Sequence, residues 1–291
     1  MPFVQTGDIR TYYERRGDGP PVVFVHAAIL DHSLWDAQAE ALADEYTTVV
    51  YDLRGHGRTG GSSLSTYTVE LLADDLHALV TALGLARPVV CGLSLGGLVA
   101  QSYAARYPDE LSALVLADTF TPPILARGEW VLRRVVLNAL VYPVRLVGYE
   151  RVEKANVWLT ERLFRGSGGD YERIEMLRAT GPRMTTDEFA KVIRSMTRFH
   201  EERVDLAAVG VPTLVLYGEH DLPFVKHHAA ELAARLRDVT VEIVSDAGHA
   251  SNLDAPDDFT DAVRRFLRER VAGDAATVGV AGDEESDGAR E

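Results

Sequence analysis

Cysteine is all but missing from this chain of 291 residues: Cys91 stands alone. No disulfide can form within the chain, and nothing speaks for an oxidising compartment. Lysine is nearly as scarce, with Lys154, Lys191 and Lys226 the whole complement, so arginine carries almost all the positive charge. Basic residues are outnumbered, 30 Lys and Arg against 44 Asp and Glu, for a formal net charge of −14. A balance of that sign excludes DNA and RNA and speaks against an anionic membrane, because such partners require clustered Lys and Arg that displace counterions. The same carboxylate excess fits a salt-rich cytoplasm and a GC-rich genome equally well. Long apolar runs are lacking too. The most apolar stretch, Val131 to Val147, is broken by Arg133, Arg134, Pro143 and Arg145 and falls short of the ~20 apolar residues of a membrane span. Met1 to Arg10 has no basic segment leading into an apolar one, so no signal peptide is expected and the cytoplasm is the expected location.

What is there reads as a folded α/β chain. Hydrophobic residues make up 46%, enough to build a core. Short β-branched runs alternate with helical spacings, the pattern of a mostly parallel sheet covered on both faces. Arg10 to Arg15 predicts a half-exposed antiparallel strand, and Val22–Val25, Thr47–Leu53, Pro88–Leu93 and Leu114–Ala117 predict buried ones. Helices are expected from Ser33, as N-cap, to about Glu45, from about Thr68 to Leu83 with Gly84 ending it, and over Leu95 to Tyr107. The rhythm then breaks. Roughly Ile124–Val141, Glu150–Phe164, Tyr171–Ala179 and Asp187–Phe199 all read as helix, and alternation returns with a strand at Thr213–Tyr217, a helix at His227–Leu236, a strand at Val239–Val244 and a helix at Pro256–Arg270. The expected organisation is therefore a core of residues 1–119 and 207–271, a helical cap or lid at 120–206, and a disordered acidic tail at 272–291.

The chemistry begins at Gly92-Leu93-Ser94-Leu95-Gly96, a G-x-S-x-G placed between a buried strand and a helix. At such a turn the serine backbone is strained, and its neighbours must lack side chains so that strand and helix can approach. Ser94 then projects above the sheet at a helix N-terminus, where developing negative charge is favoured. A serine hydroxyl is a weak nucleophile at neutral pH and needs a base within reach. Among the nine histidines, His249 follows the last strand in Asp246-Ala247-Gly248-His249, on the same sheet edge as Ser94. A base of this kind needs a carboxylate to fix its tautomer and steady its cation. Asp221, ending Gly218-Glu219-His220-Asp221 after a strand, is preferred because the preceding residues supply a turn back toward His249. Glu219 and Asp118 are rivals, with Asp118 read as capping the entrance to the lid.

These stations, with His26-Ala27-Ala28, Asp52-Leu53-Arg54-Gly55-His56-Gly57 and Gly248-His249, resemble the α/β-hydrolase superfamily across Val22 to Leu267. Leu34-Trp35-Asp36 and His249-Ala250-Ser251-Asn252-Leu253 before Pro256 are similar to the 3-oxoadipate enol-lactonase group and related small esterases. The resemblance implies an oxyanion hole of the backbone N–H groups of Ala28 and Leu95. It implies cleavage of a small-molecule carboxylic ester or lactone through an acyl-enzyme, without cofactor. Serine at the elbow sets the chain apart from epoxide hydrolases and haloalkane dehalogenases, which use aspartate there. Carbon–carbon bond hydrolases, thioesterases and cofactor-free haloperoxidase-like enzymes keep serine and remain open. So does a function of another class, a hydrolase-like ligand receptor with little turnover.

Three further patterns compete. Gly55-His56-Gly57-Arg58-Thr59-Gly60 fits the dinucleotide-binding G-x-G-x-x-G, but the next helix starts only near Thr68, so a tight surface loop is the better reading. His220, His227 and His228 lie near Asp221 but beside Lys226 and without a metal-binding pattern, so no metal is expected. Finally, Trp130, Leu132, Val135, Val136 and Leu140 give the first cap helix an apolar stripe. Trp130, Leu132 and Val136, together with His26, are expected to line a pocket for a small or apolar substrate. No oligomeric state can be read.

Overall fold

In the computed structural model, which describes residues 2–271, the apolar runs form one eight-stranded sheet. The expected disordered tail, 272–291, lies outside the described residues. The strands are β1 Phe3–Thr6, β2 Ile9–Arg16, β3 Pro21–Val25, β4 Thr47–Tyr51, β5 Val89–Leu93, β6 Ala113–Ala117, β7 Thr213–Gly218 and β8 Val239–Val244, in spatial order β1-β2-β4-β3-β5-β6-β7-β8. β2 runs antiparallel to β1 and β4, and the other neighbours are parallel. β1 is the strand the sequence did not announce: its four residues, FVQT, run from half-buried Phe3 and Val4 through exposed Gln5 to buried Thr6 and carry no alternation to read.

The central strands are apolar at nearly every position because both faces of the sheet are covered. Val23, Val25, Val90, Leu114 and Leu116 point to one core, Val22, Phe24, Cys91, Leu93 and Val115 to the other. Four elements of the first half do the covering. A 3-10 turn, His32–Trp35, leads into α1 Asp36–Leu42; α2 Val69–Ala82 and α3 Leu95–Arg106 follow. The cap lies on the 3-10 turn and is Asp31 rather than Ser33, because the Asp31 carboxylate accepts the Ser33 N–H at 3.0 Å. α2 starts where Thr68 accepts the Leu71 N–H, and its buried face is Val69, Leu72, Leu76, Leu79 and Val80.

Between β6 and β7 the elements are helical. α4 Arg127–Val131 runs through a π-helical turn, Leu132–Val136, into α5 Leu137–Val147; α6 Tyr149–Leu163, α7 Tyr171–Thr180 and α8 Thr186–Arg198 follow. This segment has a small core of its own, Val141 and Val144 of α5 against Phe189, Ala190 and Ile193 of α8. After β7 come α9 Pro223–Arg235, the short α10 Ser251–Asp254 and α11 Pro256–Arg270. α11 buries Phe259, Val263, Phe266 and Leu267 beside α1. Among the described residues no helix is long and apolar enough to cross a membrane.

Candidate active site

The elbow is forced by sterics. Ser94 sits between β5 and α3 with φ 54° and ψ −112°, a left-handed conformation that costs a non-glycine residue energy. A Cβ on Gly96 would lie 2.0 Å from the Val25 carbonyl oxygen, and one on Gly92 would lie 2.2 Å from that of Gly96. Only a chain without side chains at both places can close this turn. The strain is held by β6: the Ser94 N–H donates to the Ala117 carbonyl at 2.9 Å, and Thr119 Oγ1 donates to the Ser94 carbonyl at 2.8 Å.

Two loops bring partners to the serine. His249, after β8, has Nε2 3.1 Å from Ser94 Oγ and Nδ1 2.9 Å from Asp221 Oδ1. With a neutral ring, Nδ1–H donates to Asp221 and Nε2 is left to accept from Ser94. Asp221 is buried, and its Oδ1 also accepts the Leu222 N–H at 2.6 Å. Burial works against a charge on His249, but the Asp221 charge and hydrogen bond, with Asp118 and Asp254 behind them, outweigh it and raise its pKa to about 9. The two rival carboxylates go elsewhere. Glu219 is exposed and accepts the Asp246 N–H. Asp118 does not cap the entrance to the helical segment; it is buried and accepts from Gly218 N–H and from Ser251.

The wall opposite the imidazole is built from the loops after β3 and β4. His26 is buried with Nε2 accepting the Leu53 N–H at 3.0 Å and Nδ1 donating to the Ala27 carbonyl at 2.8 Å. Asp52 accepts from His32 N–H and Nδ1 and from Arg58 N–H, and Arg54 forks onto Asp75 and Asp8. These bonds fix the stretch that carries Ala28. Leu95 opens α3, so its N–H is one of the helix's first, without a partner within the helix and at the positive end of the dipole. The Gly55–Gly60 loop is tight, closed by Gly55 N–H on the Gly60 carbonyl at 2.7 Å, but residues 51–56 are buried rather than on the surface. Among the described residues two groups of carboxylate and imidazole lie close enough to hold a cation, Asp31-His32-Asp52 and Glu219-His220-Asp246. The first is already knit by its own hydrogen bonds and the second is exposed.

Ser94 and His249 open into a cavity of about 300 Å³ lined also by Ala28, Leu30, Val157, Thr160, Tyr171, Ile174, Arg178, Met196 and Leu222. None of the four pocket residues expected from the sequence is among them. His26 is buried behind the wall it braces. Trp130 and Val136 are 50% and 41% exposed, and Leu132 is half-buried. The reason is that the buried face of this helix is the polar one. Arg133 is buried, donates to Glu129 at 2.9 Å and stacks 4.5 Å over Phe120, while Glu129 in turn meets His228 at 2.9 Å. That network turns the apolar stripe outward. The lining comes instead from α6 and α7, at Val157 and Thr160 and at Tyr171, Ile174 and Arg178. Spacings of three and four were legible, but nothing in them says which helix faces the serine.

Comparison with known proteins gives the family and the fold. The family described as alpha/beta hydrolase fold matches residues 20–256. Among curated proteins, 3-oxoadipate enol-lactonase 2 of Acinetobacter baylyi is 24% identical over 253 residues, 87% of this chain and 90% of its own length. Among solved structures, a thermophilic esterase from Thermogutta terrifontis superposes with a TM-score of 0.75 at 29% identity, covering 91% of this chain and 96% of that one. The enol-lactonase from Burkholderia xenovorans does so with a TM-score of 0.75 at 27% identity, covering 92% and 100%.

Proposed function

The chain belongs to the alpha/beta hydrolase family, and on that footing we propose that it is a serine hydrolase cleaving a carboxylic ester or lactone through an acyl-enzyme on Ser94. The observation that carries this reading is the line from Ser94 Oγ to His249 Nε2 to Asp221, 3.1 and 2.9 Å long, at the floor of a mainly apolar cavity.

His249 takes the Ser94 proton as Oγ attacks the carbonyl carbon, and Asp221 steadies the imidazolium. The tetrahedral oxyanion is held by the N–H groups of Leu95 and Ala28, a pair in which loss of one donor costs ~3–4 kcal/mol of barrier. Collapse expels the alkoxide or enolate, which His249 protonates. Water, deprotonated by the same imidazole, then releases the acid and frees Ser94.

The helical segment 120–206 acts as a cap, whose α6 and α7 side chains wrap the acyl group. Among the residues lining the cavity Arg178 carries a positive charge, and its field favours a substrate bearing a carboxylate distal to the scissile bond.

The test is a panel of esters, lactones, thioesters and epoxides with wild type and Ser94→Ala side by side. Turnover of an ester or lactone that vanishes in Ser94→Ala supports the reading. Labelling by a fluorophosphonate without turnover of any member points to a ligand receptor, and selective thioester turnover to a thioesterase. Turnover that survives Ser94→Ala refutes the acyl-enzyme.

A further inference from the structure

One buried carboxylate next to the site has no place in the mechanism above. Asp118 ends β6, is fully buried, and holds a positive φ of 45°. Its own N–H donates to the Leu216 carbonyl of β7 at 2.9 Å. Its Oδ1 accepts the Gly218 N–H at 3.0 Å, and its Oδ2 accepts the Ser251 N–H at 3.1 Å and the Ser251 hydroxyl at 2.6 Å. Gly218 begins the turn that carries Asp221, and Ser251 lies two residues after His249. One side chain thus ties together the loop of the acid and the loop of the base.

We propose that Asp118 is a positioning residue for the hydrolysis proposed above: its carboxylate locks the Asp221 and His249 loops in register and supports the imidazolium that forms on His249. The inference rests on the acyl-enzyme reading. Its chemistry requires a carboxylate. Both oxygens accept backbone N–H groups, and an asparagine would have to turn its own N–H₂ against one of them, orphaning a buried donor. A second buried acid is otherwise costly so close to Asp221. Burial first, and the Asp221 charge next, push its pKa well up, while His249 and the Ser251 bonds pull the other way. The groups that act on His249 are Asp221 and Ser94, Asp118 behind the loop and Asp254 on α10, and Arg178 lines the same cavity.

Asp118→Asn and the milder Ser251→Ala are compared with wild type on a nitrophenyl ester, each normalised by burst titration with a fluorophosphonate so that only folded, reactive sites are counted. Asp118→Asn is expected to lower kcat per titrated site about 10- to 100-fold, the range for misplaced catalytic groups, with KM within about twofold. The acid limb of its pH profile moves to lower pH as the negative charge near His249 is lost. Ser251→Ala, which keeps the backbone bond and the fold, shows the same changes in smaller measure. The proposal is overturned if both variants keep the wild-type kcat per site and acid limb while only their melting temperatures drop. Wild type that labels but never turns over would sink the hydrolase reading instead, which keeps the two failures apart.

Discussion

The sheet core and the helical segment set into it obey different rules. Residues 1–119 and 207–271 carry 14 basic and 26 acidic side chains, whereas residues 120–206 carry 15 and 12. The chain's negative charge therefore belongs to the core and its tail, and the inserted helices are slightly positive. Apolar exposure divides in the same way. Of the large hydrophobic residues left in water, Tyr142, Leu146, Trp158 and Leu163 lie on α5 and α6, with Leu146 86% exposed, while β3, β5 and β6 bury almost every side chain. On the proposed function, the core supplies the reacting groups, each fixed by several bonds. The inserted helices supply a wall whose shape and charge can vary without touching them.

Ser94→Ala should break the core's part in this division completely, lowering kcat for an active ester by at least ~10⁴-fold with no loss of melting temperature, since serine's strained backbone is retained; Asp221→Asn should cost less, about 10²- to 10⁴-fold. Steady-state kinetics beside thermal melts measures both. If Ser94→Ala kept a tenth of the activity, the division itself would be wrong.

Replacing Arg178 tests the wall. For wild type, a nitrophenyl half-ester of a dicarboxylic acid should outrun its uncharged isostere, and the advantage should shrink with added salt. Arg178→Gln should cost the charged ester at least tenfold more in kcat/KM than the neutral one. Equal losses on both would mean that the guanidinium only supports the fold.

Stability should divide as sharply. Phe259→Ala, in the core between α11 and Trp35, is expected to cost ~3–5 kcal/mol, and Leu146→Ser, on the exposed face of α5, within about 0.5 kcal/mol. Denaturant melts that rank them the other way would show that the exposed face is covered in solution.

The smallest effect is on pH. Catalysis needs His249 neutral, so activity should rise with pH and reach half its plateau above the ordinary histidine value of 6.5, toward 9. The stability contribution runs the opposite way: the raised folded-state pKa stabilises the fold fully below 6.5, and that gain is lost as pH climbs through about 9. An acid limb at or below 6.5 would show that Asp221, with Asp118 and Asp254 behind it, does not outweigh the burial of His249.

Much of this was legible in the residues. Strands with apolar side chains at consecutive positions must be covered on both faces, which made β3 to β7 and the layered architecture readable. Gly92 and Gly96 announced the elbow because no other residue fits there. The chain order of Ser94, Asp221 and His249, after β5, β7 and β8, pointed to one edge of the sheet. The pocket was not legible, and its expected residues were wrong. Apolar spacing shows that a helix has a buried face, but His228 meets the local Glu129–Arg133 pair only through the fold, and the buried network they form leaves Trp130, Leu132 and Val136 outside the cavity lining. Asp118 was likewise visible only as a carboxylate after a strand; its three hydrogen bonds exist because β6, β7 and the His249 loop converge. Sequence by itself determined what each local segment can form, through sterics and periodicity. Which helix covers the serine, and which buried charges meet, was settled by contacts between residues about a hundred positions apart, a distance over which local pattern carries no information.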